Sequence, residues 1–165
     1  MAKPTKYASL ICTILSVVAV IGIIWGLAAK SPIVVLIALA PSVAYEAYRT
    51  EGESTRWASW VMVGVLVLEF ILVIFNISFD VAGFLGSSSE QVAGYTVPLG
   101  DIRIVGPALM AVLAIILIVR TRGVYTRWLA VNIIACVLAI TFVLDPHIFQ
   151  ELLRQGVQEG IKQMN

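Results

Sequence analysis

Residues 49–57 read RTEGESTRW and residues 120–128 read RTRGVYTRW, so that Arg, Thr, Gly, Thr, Arg and Trp recur at six of nine positions. A fainter third copy stands near the start, where TKYAS at 5–9 parallels TRWAS at 55–59 and TRWLA at 126–130. All three introduce a long apolar run, and an internal repeat of this kind is the strongest single organiser of a chain.

The repeated stretch has the chemistry of a tight turn at a membrane surface. Arg49 and Arg120 fall at helix C-termini, where a cation suits the dipole. Gly52 and Gly123 are expected to take the left-handed conformation just past the helix end. Thr55 and Thr126 are placed to cap the next helix. Arg56 with Trp57, and Arg127 with Trp128, read as interfacial anchors, the cation reaching head groups and the indole lying at the interface. The rival reading makes Arg49, Arg56, Arg120, Arg122 and Arg127 an anionic-lipid or phosphate site.

Composition sets the class. Hydrophobic residues make up 60% of the 165 and charged residues only 13%, against about 25% charge in soluble domains. The chain is read as a polytopic membrane protein in which each crossing takes about 20 residues, leaving no room for a soluble catalytic domain. A net charge of +1 excludes a nucleic-acid-scale basic field. Cys12 and Cys136 both fall inside apolar runs, which argues against a disulfide framework.

Four spans are plain at 7–29, 57–77, 102–119 and 128–144. A fifth, 33–48, is short and carries Pro41 and Glu46. The repeat decides it: helices that share one entry signature run in one direction, so an even number of crossings separates them and 33–48 goes back through the bilayer. The fold class is therefore all-α, a bundle of five transmembrane helices over 1–144, with an internal hairpin repeat. Residues 145–165 are expected to add an amphipathic helix, with Pro146 at its first position and Phe149, Leu152, Leu153, Val157 and Ile161 on one stripe.

Charge placement orients the bundle. Lys3, Lys6, Arg49, Arg56, Arg120, Arg122 and Arg127 share one side, against Lys30, Arg103, Arg154 and Lys162. The positive-inside rule then puts the N-terminus in the cytoplasm and the C-terminus outside, in a bacterial or archaeal plasma membrane. The first span exceeds the usual signal-peptide core of about 7 to 15 residues and carries the repeat signature, so it counts as a mature helix. The connection 78–101, rich in Gly and free of Lys and Arg, reads as an outer loop.

Motifs for catalysis and cofactors are missing: no HExxH, CxxC, GxSxG or phosphate-binding glycine loop occurs. His147 is the single histidine and makes no metal set. No catalytic residue, metal or cofactor is assigned, and Glu46, Glu51 and Glu53 read as solvated charge at the cytosolic turn. Gly22 and Gly26 form a GxxxG that lets backbones approach closely, within the bundle in preference to a homo-oligomer.

One residue breaks the apolar pattern. Glu69 stands in VLVLEFILVIF (65–75), twelve residues beyond Trp57, about 18 Å into a hydrocarbon core about 30 Å thick. Its counterparts in the repeat are Ala19 and Ile140, so the acid is no part of the shared design. A charge at that depth costs on the order of 2.5–3.5 kcal/mol, so Glu69 should face the bundle, protonated or partnered. Thr13, Ser16, Asn132, Thr141 and Arg103 are the partners the topology offers. Two functions follow. One is a non-enzymatic bundle serving as subunit, scaffold or partner-binding protein, its partners the lipid bilayer and a protein met through the C-terminal helix or outer loop. The alternative is a proton- or cation-conducting channel or small transporter that uses Glu69.

Overall fold

The computed structural model describes residues 7–50, 53–77, 90–92, 95–97, 102–121, 123–146 and 154. Five long helices make up nearly all of them: α1 (Ala8–Ala29), α2 (Pro32–Arg49), α3 (Glu53–Ile74), α4 (Ile102–Arg120) and α5 (Val124–Leu144). Each is long and apolar enough to cross a bilayer, so the expected all-α bundle of five membrane helices is the fold. Within the connection read as a loop, Glu90–Val92 and Tyr95–Val97 form a short antiparallel hairpin, β1 and β2. The C-terminal helix, His147, Gly52, Arg122 and the N-terminal lysines lie outside the described residues, apart from positions 145, 146 and 154 of the tail.

The two ends of the bundle turn by different means. At the end away from the repeated motif, Lys30 and Asn76 take positive φ, 49° and 51°. Ser31 N–H then bonds Gly26 O at 3.0 Å and Ile77 N–H bonds Leu72 O at 2.9 Å, the Schellman arrangement. Pro32 follows at once as the first residue of α2, where its missing N–H is harmless.

At the arginine end the described turn residues Thr50 and Gly123 are both extended. Thr50 is extended (φ −63°, ψ 122°) and its N–H bonds Glu46 O at 2.9 Å; Thr121 N–H bonds Leu117 O, also at 2.9 Å. The threonine of each RT pair thus follows the last helical residue, with the same backbone hydrogen bond in both copies. Gly123 is extended as well (φ −76°, ψ 122°) and is the N-cap of α5, its carbonyl accepting from Arg127 N–H at 3.1 Å. The expected left-handed Gly123 and capping Thr126 are therefore both corrected. Thr126 is the third residue of the helix and is buried.

Neighbouring helices pack as a ring, α1–α2–α3–α4–α5, closed by α1 on α5 and braced across by α2 on α5. Four helices, α2 to α5, thus surround one interior, and α1 fills the outer groove between α2 and α5. The main core is built from Leu36, Leu39, Val43, Met62, Leu66, Met110, Ala114, Leu117, Ile133, Cys136 and Ile140. Cys12, Leu15 and Leu129, with Tyr45 and Tyr125 packed on them, seat α1. Gly22 and Gly26 are buried in that seat: a β-carbon at Gly22 would overlap Ala38 Cβ, and one at Gly26 would overlap Val35 Cγ2. The GxxxG of α1 is spent on α2 of the same chain. Outward-facing residues such as Trp25, Ile37, Val112 and Val119 are apolar, as a lipid-facing surface requires.

Candidate functional site

Aligning the helices on the repeat shows where an interior position lies. Five residues past Tyr7, Trp57 and Trp128 stand Cys12, Met62 and Ile133, all with no exposed surface. Seven further on are Ala19, Glu69 and Ile140, exposed by 2%, 0% and 0%. Glu69 therefore occupies a slot that points inward in every copy, and α3 fills it with a carboxyl group. Its place along the helix differs from the depth counted from Trp57. Glu69 stands five residues before the end of α3, about 7.5 Å by helical rise, nearer the end away from the arginines than the middle.

The room for that carboxyl comes from Gly106 of α4. A β-carbon there would overlap Glu69 Oε2, and would lie 3.0 Å from Glu69 Cδ. Gly106 and the Pro107 that follows it are both buried inside α4. One turn toward the helix start, Arg103 donates from Nη1 to Asn76 Oδ1 at 2.9 Å, tying the end of α3 to the beginning of α4. Glu69 and Arg103 consequently flank one short stretch of the α3–α4 interface.

The other partners named from sequence are held elsewhere. Thr13 donates to Ser9 O at 2.9 Å and Thr141 to Val137 O at 3.0 Å, each within its own helix. Ser16 and Asn132 bond each other, Nδ2 to Oγ, at 2.7 Å. Trp128 Nε1 donates to the same Ser16 Oγ at 2.9 Å, while that hydroxyl donates to Cys12 O at 2.8 Å. Trp128 is therefore more than an interfacial anchor: it belongs to a clasp between α1 and α5. Trp57, by contrast, is 74% exposed.

A second buried acid escaped the sequence reading. Glu46 has no exposed surface, and neither do Ser42, one turn before it on α2, or Ser59 on α3. Thr50 is 7% exposed and its hydroxyl reaches both Glu46 O, at 2.9 Å, and Glu46 Oε1. Ser59 faces the same carboxyl from α3 and bonds Thr55 O at 3.1 Å. The expectation of a solvated charge at the turn is thus wrong for Glu46. Its spacing carried a signal: Leu39, Val43 and Glu46 recur at helical intervals on one face, all buried. Counting back from the arginine, Glu46 corresponds to Leu117 of α4, which is also fully buried.

Between the two acids the interior is apolar. Ser59 and Glu69 are ten residues apart on α3, about 15 Å, and Met62 and Leu66 fill the space between them on that helix. Leu39, Met110, Ala114, Ile133 and Cys136 complete the layer from the facing helices. Among the described residues no three His, Cys, Asp or Glu side chains stand close enough to hold a metal ion.

At the arginine end the two copies of the motif meet. Arg49 lies over the ring of Tyr125, 5.0 Å from its centroid, and Arg127 Nε donates to Thr121 O at 2.9 Å. Arg56, Arg120 and Arg127 are exposed.

No family model, curated protein or solved structure matches this chain.

Proposed function

We propose that this small membrane protein is a non-enzymatic bundle that serves as a subunit, scaffold or partner-binding protein, in a bacterial or archaeal plasma membrane with its N-terminus in the cytoplasm. One observation carries the reading: the layer of Leu39, Met62, Leu66, Met110 and Ile133 separates the two buried carboxyl groups without a polar side chain. A conductor needs polar groups or water along its path, and transporters place broken helices there. Glu69 in this reading is an interior packing residue seated on Gly106. Partner contact falls to the surfaces beyond the bundle, the connection after α3 and the C-terminal segment.

The second reading, proton or cation conduction, is favoured by the burial of Glu69 itself, since an intramembrane acid marks ion pathways by default. Purified protein in liposomes separates the two. Under an imposed potential, proton and potassium flux equal to that of protein-free vesicles is expected, with no change in Glu69→Gln. Flux that Glu69→Gln abolishes in a folded protein would replace the subunit reading with the conducting one.

A further inference from the structure

The group at the arginine end of α2 has a donor and acceptor count that does not close on itself. Thr50 has one hydroxyl hydrogen and two acceptors in reach, Glu46 O and Glu46 Oε1. Ser59 directs its hydrogen to Thr55 O. Each hydroxyl thus has one hydrogen for two acceptors, a helix carbonyl and the Glu46 carboxyl. Two further oxygens in the same place, Glu46 Oε2 and Ser42 Oγ, are buried without a hydrogen-bond partner among the described residues. Ser42 and Glu46 lie one turn apart on the same buried face of α2.

Buried oxygens left in this state are costly, and each calls for an explanation. A buried acid lined by hydroxyl oxygens does not suit an anion. A proton on Glu46, together with the hydroxyl hydrogen of Ser42, is the competing way to fill the group. A cation the size of sodium engages several hard oxygens at once, and carboxylate with hydroxyl groups is a hard-oxygen set. Charge selects the valence: a single carboxylate neutralises one positive charge, and a divalent ion would leave a net charge buried in apolar surroundings. We infer that Ser42, Glu46, Thr50 and Ser59 form a binding site for one monovalent cation, entered from the arginine end of the bundle. The inference is independent of the subunit reading, because an ion held at one end beneath a closed apolar layer need not pass through.

Aliphatic carbodiimide attacks protonated membrane carboxyl groups and is excluded by a bound cation, which makes it the probe. The full chain is reconstituted in nanodiscs at a fixed, mildly alkaline pH, and labelling is located by peptide mass spectrometry in sodium, lithium, potassium and choline chlorides of equal ionic strength. Labelling of Glu46 is expected to fall about tenfold once a small alkali ion reaches ~10 times its dissociation constant, with choline without effect. The same ion should raise the melting temperature, and Ser42→Ala or Ser59→Ala should shift both responses to higher ion concentration. Glu46→Gln should abolish the thermal response; should that variant fail to fold, the two serine variants carry the test. Labelling and melting that are indifferent to all three alkali ions would show that Glu46 holds a proton only and would overturn the site. This outcome is separable from the liposome result, which concerns flux and Glu69.

Discussion

The hairpins α2–α3 and α4–α5 share an entrance and differ in what they enclose. Each ends its first helix on an arginine followed by a threonine whose N–H bonds back four residues, at 2.9 Å in both. Yet Glu46 in one hairpin stands where Leu117 stands in the other, and Glu69 stands where Ile140 does, all four without exposed surface. The turn has been kept because its backbone hydrogen bonds specify a helix end. The interior has not, and the aliphatic hairpin shows that nothing in the turn or in the helix register requires an acid at either slot. An aliphatic residue of similar volume fills the same slot in the second hairpin at no desolvation cost.

The comparison breaks most readily at Gly106, whose place in the first hairpin, counted back from the arginine, belongs to the fully buried Val35. Copying that residue, Gly106→Val, drives a side chain into Glu69 Oε2. A loss of about 2–3 kcal/mol is expected from overpacking, read by denaturation in mixed micelles. Glu69→Ala in the same chain should restore a large part of it. Absence of rescue would mean that Gly106 is required by α4 itself and not by the carboxyl group.

Copying the other way sharpens it. Glu46→Leu and Glu69→Ile put the second hairpin's residues into the first, and stability equal to wild type or higher by about 1–2 kcal/mol is expected, as for buried ionic groups replaced by aliphatics of similar volume. Marked destabilisation of either variant would make that acid structural and end the equivalence of the copies. Glu46→Leu should at the same time lose every response to alkali ions.

A smaller effect belongs to the first and third copies of the entry signature, α1 and α5, which are joined by Ser16. Ser16→Ala removes the acceptor shared by Trp128 Nε1 and Asn132 Nδ2. Interhelical hydrogen bonds in membranes average about 0.6 kcal/mol each, so a loss of about 1 kcal/mol is expected in thermal unfolding. A wild-type melting curve would assign the seating of α1 to Gly22, Gly26 and the Cys12–Leu129 contact alone.

How much of this was legible in the sequence follows from which interactions are local. Five membrane-length helices could be read because the repeated motif and the apolar runs are properties of contiguous residues. The burial of Gly22 and Gly26 was foreseen by their spacing. The conformation of Gly123 was misassigned because glycine permits a left-handed residue but does not compel one, and Thr121, two residues earlier, ends the helix first. Glu46 was mistaken for solvated charge because Arg49, Glu51 and Glu53 crowd the same few positions, and local charge density outweighed a helical periodicity only two turns long. Which helix receives the Glu69 carboxyl could not be read without the ring order. Thr13 and Ser16 lie on α1, which packs on α2 and α5, whereas the glycine that receives the carboxyl lies on α4. Ring order is decided by packing among all five helices, and no single helix encodes it.

The finest difference between the hairpins lies at their meeting point. Arg49 rests on the ring of Tyr125, and the position matching Tyr125 in the first copy is Ser54, so Arg120 has no equivalent ring to receive it. The contact is one-way, and it joins the end of α2 to the start of α5, the pair that braces the ring across its middle. A cation over an aromatic face at a partly exposed site contributes about 0.5–1 kcal/mol. A double-mutant cycle of Arg49→Gln with Tyr125→Ser should return a coupling of about that size, read from denaturation midpoints at low salt. The single variants should leave the carbodiimide labelling of Glu46 unchanged, since neither side chain supplies an oxygen to that pocket. Zero coupling would leave the brace to the buried contacts of the core, and would make the aromatic residue of the second motif a feature of the membrane surface and not of the bundle.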